Sequence, residues 1–152
     1  MDHVGRPITD LHGDCSGGLR LDGVPTMKPV PDAVVLFAHG SRDPLWRVPI
    51  DAVAHEIARQ SPATVVRCAF LELMAPELGE TVDELVAQGH TSIRVVPMFL
   101  GVGRHAREDL PALIDNLRAR YPAVQLDLQP AIGEQAELTR CMAQIALSQH
   151  SE

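Results

Sequence analysis

Short apolar runs alternate with longer amphipathic segments over most of the chain. The runs at residues 34–38, 64–71, 92–98 and 124–128 have lengths typical of strands. Each is followed by a segment in which apolar residues recur every three or four positions, which predicts a helix. Strands separated by helices predict right-handed crossovers. The pattern therefore predicts a three-layer α/β fold, with a four-stranded parallel sheet and helices on both faces.

Local signals place the ends of several predicted helices. The first is expected at about residues 48–60, and the last at about 134–148. Gly89 is a typical C′ residue and should end the second helix. In the third, Asp109 is expected to cap the helix core, with Pro111 in its first turn.

The first 31 residues differ from the rest in composition. They contain five of the eleven glycines and four of the twelve prolines, and they show little apolar periodicity. We interpret residues 1–31 as a flexible tail, or as a translated upstream segment outside the fold, and residues 32–150 as a single folded domain.

Composition narrows the class of protein. The net charge is −7 and there is no basic run, which argues against nucleic acid as a partner. No apolar run approaches the roughly 18 residues of a membrane span, and no signal core precedes the domain. The three cysteines, Cys15, Cys68 and Cys141, are scattered, which argues against a disulfide framework and favours a reducing cytoplasm. We expect Cys68 and Cys141 to be buried.

Polar side chains follow three of the predicted strands at the point where each strand ends. His39 follows the first strand, Glu72 the second, and His105 the third. In an open α/β sheet, ligands bind at the carboxyl ends of the strands. Two imidazoles and a carboxylate at one rim suit either a divalent metal ion or proton transfer.

Three arginines are predicted at the same rim, namely Arg42, Arg104 and Arg107. The planar guanidinium group pairs well with carboxylates. The rim therefore suits an anionic organic ligand together with a metal ion.

Residue content argues against three common α/β sites. A phosphohistidine phosphatase would carry an arginine before the His-Gly pair, where this chain has Ala38. The Gly-x-Ser-x-Gly elbow of α/β-hydrolases is missing, and no glycine-rich nucleotide fingerprint follows the first strand. The isolated Gly101-Val102-Gly103 would let the backbone approach a flat ligand closely.

Three motifs at predicted strand ends resemble those of the small sirohydrochlorin chelatases of the CbiX type. They are His39-Gly40-Ser41-Arg42, then Phe70-Leu71-Glu72 with Pro76, and then Pro97-Met98-Phe99-Leu100 leading to Gly103-Arg104-His105 and Asp109-Leu110-Pro111. The resemblance covers about residues 33–147. It implies the class II chelatase fold, here as a single lobe wound like a flavodoxin.

The same resemblance implies an activity. These enzymes insert Co²⁺, Fe²⁺ or Ni²⁺ into sirohydrochlorin, an early intermediate of cobalamin, siroheme and related tetrapyrroles. No ATP or other cofactor beyond the metal substrate is expected. Carried over by position, His39 corresponds to a metal-binding histidine that also accepts a proton, and His105 to the second metal-binding histidine. Glu72 corresponds to a catalytic carboxylate that faces the substrate.

The remaining substrate-binding candidates come from the rim arginines and the loop that the resemblance places against the macrocycle. They are Arg42, Phe99, Leu100, Gly101, Val102, Gly103 and Arg104.

One lobe offers a single wall to a broad, flat substrate, whereas larger chelatases of this fold have two similar lobes in one chain. We therefore expect a homodimer with the site in the cleft between subunits. Two other interpretations stay open at this point. The chain could be a non-catalytic carrier of metal or tetrapyrrole, or an interaction module in which the histidines are incidental.

Overall fold

A computed structural model of the chain describes residues 30–148. Most of the predicted tail, residues 1–31, and the last two residues of the predicted domain lie outside this range. Four strands alternate with four helices: β1 Ala33–Ala38, α1 Val48–Gln60, β2 Val65–Phe70, α2 Leu78–Ala87, β3 Ser92–Pro97, α3 Arg104–Arg120, β4 Gln125–Leu128 and α4 Ala136–Leu147. Short 3₁₀ turns at Pro44–Arg47 and Ile132–Glu134 precede α1 and α4. The predicted order of strands and helices is confirmed.

The four strands form one parallel sheet in the order β2-β1-β3-β4. The chain winds outward from β1 in one direction to β2 and in the other to β3 and β4. Because the strands are parallel, their carboxyl ends meet at one rim. The predicted four-stranded parallel α/β fold is therefore confirmed.

The two faces of the sheet are covered differently. Val35 and Val95 are fully buried on the first face, where they pack with α2 and α3 in the main hydrophobic core. Leu36 and Val96 are register partners on the second face. There, α1 lies over β2, and the Sγ atom of Cys68 is 3.7 Å from the Asp51 carboxylate. The helices thus lie on both faces, as predicted.

The predicted start of the third helix is wrong. α3 begins at Arg104, after Gly103 as N-cap, so Asp109 and Pro111 lie inside the helix. Proline cannot donate a hydrogen bond to the carbonyl four residues earlier, at Arg107. Arg107 is exposed, so water can satisfy that carbonyl. Gly89 does end α2 in the left-handed conformation, with φ of 93°.

The predicted burial of the cysteines is also wrong. Cys141 is exposed, and Cys68 is only partly buried, although burial still raises the pKa of the Cys68 thiol. Cys141 is exposed because α4 packs mainly against the 3₁₀ turn before it and not over the sheet. Within residues 30–148, no helix is both long and apolar enough to cross a lipid bilayer.

A polar contact joins α2 to the end of α3. The Tyr121 hydroxyl donates to the Asp83 carboxylate at 2.6 Å, and Arg120 donates to the same group. These two donors hold the pKa of Asp83 below its usual range, with Tyr121 as the larger cause. The contact therefore stabilises the fold at pH values where Asp83 is ionised.

We expect Tyr121→Phe to lower the melting temperature slightly at neutral pH. A carboxyl group with a lowered folded-state pKa stabilises the fold above its unfolded pKa of about 3.9, and this contribution is lost as the pH falls through the folded pKa. The difference between wild type and variant should therefore shrink as the pH drops below about 4. Thermal unfolding followed by circular dichroism across pH 3–7 measures it; a difference that stays constant with pH would contradict the role given to Asp83.

Candidate functional site

The rim of the sheet contains a hollow of about 410 Å³. Its lining residues come from the ends of β1 and β2, the loop after β3 and the first turn of α3. They are His39, Leu71, Glu72, Phe99, Gly101, Gly103, Arg104, His105 and Ala106. The two histidines and the glutamate that the sequence singles out therefore lie in one hollow.

His39 and Glu72 form the closest polar pair in the hollow. The Nδ1 atom of His39 is 3.6 Å from Oε1 of Glu72, and their side chains are 58% and 57% exposed. The backbone holds them side by side, because the Glu72 amide donates to the His39 carbonyl at 3.1 Å. A similar bond joins Leu71 to Ala38 at 2.9 Å. The pair is thus fixed by main chain but open to a ligand.

Gly40 allows this close approach of the two strand ends. Its φ is +95°, a conformation that residues with a Cβ atom rarely adopt. A Cβ atom at this position would also overlap with the carbonyl oxygen of Glu72. Glycine is therefore required here both by the backbone conformation and by the space available.

The floor of the hollow is aromatic. Phe99 is buried, and its ring meets that of Phe37 edge to face with centroids 5.8 Å apart. The His39 ring is edge to face with the same phenylalanine at 6.1 Å. The Gly133 amide donates to the Phe99 carbonyl at 2.9 Å, which ties the loop to the turn before α4. Phe99 thus contacts the His39 ring, and its own backbone is held by the turn before α4.

The start of α3 supplies the other wall. His105 lies in the first turn and is exposed, and Arg104 lies beside it with its guanidinium 3.3 Å from the Glu108 carboxylate. The positive end of a helix dipole favours anions. This wall therefore presents an imidazole, a guanidinium and a helix N-terminus to one opening.

Three predicted substrate-binding residues do not line the hollow. Arg42 is exposed in the loop after β1, and Leu100 is 67% exposed on the loop after β3. Val102 instead packs against the core and lines a neighbouring hollow with Arg107. The other predicted site residues line the cavity. Arg42, Arg107 and Leu100 lie outside it.

Sequence reasoning missed Leu71 and Ala106. Both lie next to a predicted site residue, and both also line a second, mainly apolar hollow of about 170 Å³ that adjoins the first at His105. Asp109 lines this second hollow, one turn after His105 on α3. The i, i+4 spacing of His105 and Asp109 was a signal that could have placed Asp109 near the site.

The metal-binding capacity of the site is limited. Within the part of the chain that the structure describes, no group of three or more histidine, cysteine, aspartate and glutamate side chains is arranged to hold a metal ion. The hollow offers two imidazoles, one just after β1 and one in the first turn of α3, and one carboxylate beside the first. Such an arrangement can accept protons. It can also bind a metal ion, but two imidazoles leave some of the coordination positions of the ion open.

Comparison with known proteins identifies a family. The CbiX family model matches residues 33–148, which is most of the chain. The sirohydrochlorin cobaltochelatase of Methanococcus aeolicus is 31% identical over 83 residues, covering 55% of this chain and 58% of that protein. The sirohydrochlorin ferrochelatase of Bacillus subtilis is 30% identical over 110 residues, covering 72% of this chain and 42% of that protein. The chain thus spans less than two thirds of the length of these curated relatives.

Solved structures agree with this assignment. A CbiX protein from Marinobacter aquaeolei has a TM-score of 0.66 and 32% identity, covering 76% of this chain and 94% of that chain. The sirohydrochlorin chelatase SirB from Bacillus subtilis subspecies spizizenii, in complex with cobalt, has a TM-score of 0.63 and 29% identity. That match covers 75% of this chain but 49% of the SirB chain. With the family model matching well over half of its residues and a fold shared with these structures, the chain belongs to the CbiX family.

Proposed function

We propose that this protein inserts a divalent metal ion, Co²⁺, Fe²⁺ or Ni²⁺, into sirohydrochlorin. The observation that carries the proposal is the convergence of His39, Glu72 and His105 on one open hollow at the rim of the sheet. The names of relatives support it, because they are sirohydrochlorin cobaltochelatases and ferrochelatases. The pathway would be the synthesis of cobalamin, siroheme or a related tetrapyrrole.

His39 and His105 would hold the metal ion before insertion. Neutral imidazole is a good ligand for Fe, Co and Ni. A substrate metal must leave the protein, so a weak set of two ligands with open positions suits it better than a closed site. The lack of a three-ligand group within residues 30–148 is consistent with a transient metal substrate.

The macrocycle would enter the hollow against Phe99, Gly101 and Gly103, where two residues without side chains permit close approach of a flat ring. Arg104 and the positive end of α3 would attract the substrate carboxylates. Arg42, Leu100 and Val102 lie outside the hollow. We propose that Arg42 and Leu100, both exposed at the same rim, contact the peripheral groups of a substrate larger than the cavity, while Val102 supports the loop from beneath.

Insertion of the metal requires two pyrrole N–H protons to leave as the M²⁺ ion enters. His39 would accept one proton, and the second would pass to water at this open rim. Glu72, 3.6 Å from Nδ1 of His39, would stabilise the imidazolium that forms. No cofactor beyond the metal substrate takes part in this scheme.

A turnover assay separates this proposal from a non-catalytic carrier of the same fold. Sirohydrochlorin and Co²⁺, Fe²⁺ or Ni²⁺ are mixed with protein at one hundredth of the substrate concentration, and absorbance is followed at pH 8. An enzyme converts many equivalents faster than the protein-free control with at least one metal. A carrier produces at most a stoichiometric change, and that result would overturn the proposal.

We further propose that the active form is a homodimer with the substrate held in the cleft between subunits. We also propose that the protein works in a reducing cytoplasm. The side chains of His39, Glu72 and His105 in the hollow are exposed, which leaves room for a second subunit to cover a broad macrocycle bound there. The match to about half of the SirB chain is what a one-lobed relative of a larger chelatase would give. Light scattering on a size-exclusion column that finds only monomer at working concentration would contradict the dimer.

A further inference from the structure

The loop after β2 contains a strained backbone position beside the site. Within residues 30–148, Leu73 is the only residue other than glycine with a positive φ, which is 62°. In this left-handed conformation the Cβ atom crowds the following carbonyl oxygen, so glycine, asparagine and aspartate are the usual occupants. Leu73 directly follows Glu72, which lines the rim hollow. Strained backbone positions are concentrated at functional sites, so the leucine at this position calls for a functional explanation.

Main-chain hydrogen bonds explain the turn at Leu73 but not the leucine. The Glu72 amide donates to the His39 carbonyl at 3.1 Å, which holds the loop against the end of β1. The Pro76 carbonyl then accepts from the Phe70 amide at 2.9 Å, so the chain reverses direction just after Glu72. A left-handed residue permits this reversal. Glycine or asparagine would make the same turn with less strain than leucine.

Packing does not explain the leucine either. Leu73 is 54% exposed and is not part of the hydrophobic core. A single exposed apolar side chain is common on protein surfaces and by itself needs no explanation. An exposed leucine in a strained conformation, however, does not stabilise the isolated subunit. Its contribution therefore comes when a ligand covers it.

Leu73 and Leu100 lie on loops at the two sides of His39. β1 lies between β2 and β3 in the sheet, so the loops after β2 and β3 flank the end of β1. Leu100, on the loop after β3, is 67% exposed. Neither leucine lines the hollow of about 410 Å³. A macrocycle wider than this hollow would extend over both loops.

We propose that Leu73 is a substrate-binding residue whose side chain packs against the apolar ring of the macrocycle, on the β2 side of His39. This inference rests on the proposed function and adds a contact to the same site. Polar groups in the hollow bind the metal ion and accept the proton, so Leu73 affects substrate binding more than the chemical step. Because hydrogen bonds fix the loop on both sides of the turn, the loop does not have to become ordered when the macrocycle binds.

Substitutions at position 73 separate the role of the side chain from that of the turn. Leu73→Asn removes the apolar group but suits the left-handed conformation, whereas Leu73→Met retains an apolar group. We expect Leu73→Asn to raise the dissociation constant for sirohydrochlorin about tenfold, measured by absorbance titration without metal. Leu73→Met should restore most of this affinity. In the insertion assay with Co²⁺, Leu73→Asn should raise KM by a similar factor, with a smaller change in kcat.

Two measurements distinguish this contact from a purely structural role. The melting temperature of Leu73→Asn should equal or exceed that of the wild type, because asparagine relieves the strain at a φ of 62°. Val53→Asn is the matched control, since Val53 is 38% exposed on α1 and does not line the hollow. It also removes an exposed apolar group, and it should leave sirohydrochlorin binding unchanged.

Three outcomes would overturn the proposal. The first is wild-type affinity for sirohydrochlorin in Leu73→Asn. The second is a lower melting temperature for this variant, which would show that the leucine stabilises the fold. The third is a change of oligomeric state in sedimentation velocity, which would assign the leucine to a contact between subunits.

Binding and turnover, measured on the same preparations, keep this proposal apart from the proposed function. Wild-type turnover combined with unchanged affinity in Leu73→Asn refutes only the leucine contact. Sirohydrochlorin binding that depends on Leu73, in a wild-type protein without turnover, refutes only the chelatase function.

Discussion

Replacing either site histidine by alanine should abolish most metal insertion while the protein stays folded. We expect the rate of insertion at pH 8 to fall about 10²–10⁴-fold for His39→Ala, since a positioned base contributes that range. His105→Ala should cause a loss of similar size, because it removes one of the two proposed metal ligands. The free energy of unfolding should change by less than about 0.5 kcal/mol, because both side chains are exposed.

His55→Ala is the matched control for these variants. His55 is an exposed histidine on α1 and does not line the hollow at the rim. Its replacement should leave insertion at the wild-type rate. Near-normal insertion by His39→Ala or His105→Ala, measured against this control and the uncatalysed rate, would remove that histidine from the mechanism.

Gly40→Ala should damage stability and activity together. The methyl group would overlap with the Glu72 carbonyl, and alanine is strained at a φ of +95°. We expect a loss of at least about 2 kcal/mol in the free energy of unfolding. Because the overlap pushes Glu72 away from His39, insertion should fall about 100-fold even where the protein is still folded. Urea unfolding and the insertion assay at low temperature measure the two effects.

Gly79→Ala provides the comparison for Gly40→Ala. Gly79 lies in α2, and a Cβ atom there would meet nothing within 4 Å. Alanine in a helix should raise the free energy of unfolding by up to about 1 kcal/mol and leave insertion unchanged. Equal effects of the two substitutions would show that Gly40 has no special role in joining the strand ends.

The apolar runs predicted the fold well, because the strands of a parallel sheet are buried and therefore apolar. The run from Val34 to Ala38 is buried on both faces of the sheet, as a continuous apolar run of that length implies. Once β1 and β3 are parallel neighbours, His39 and the loop leading to His105 must end at the same rim. The placement of the three polar site residues thus follows from topology that the sequence makes visible.

Other features depend on tertiary contacts that local patterns do not report. Pro111 looks like a first-turn proline, but α3 begins seven residues earlier and tolerates it on an exposed side. The apolar stripe of α4 resembles a core face, yet Cys141 is exposed because the helix packs mainly against the turn before it. The need for glycine at position 40 becomes visible only when Glu72 is placed beside it. At position 40 the deciding neighbour is distant in sequence.

The position of the metal ion tests the central claim most directly. A crystal structure of the protein soaked with Co²⁺, with the ion located by its anomalous scattering, should show cobalt in the rim hollow. We predict an imidazole nitrogen of His39 and one of His105 within about 2.0–2.1 Å of the ion, the range usual for zinc–imidazole bonds. Cobalt bound at another place, with both imidazoles free of metal, would contradict the account.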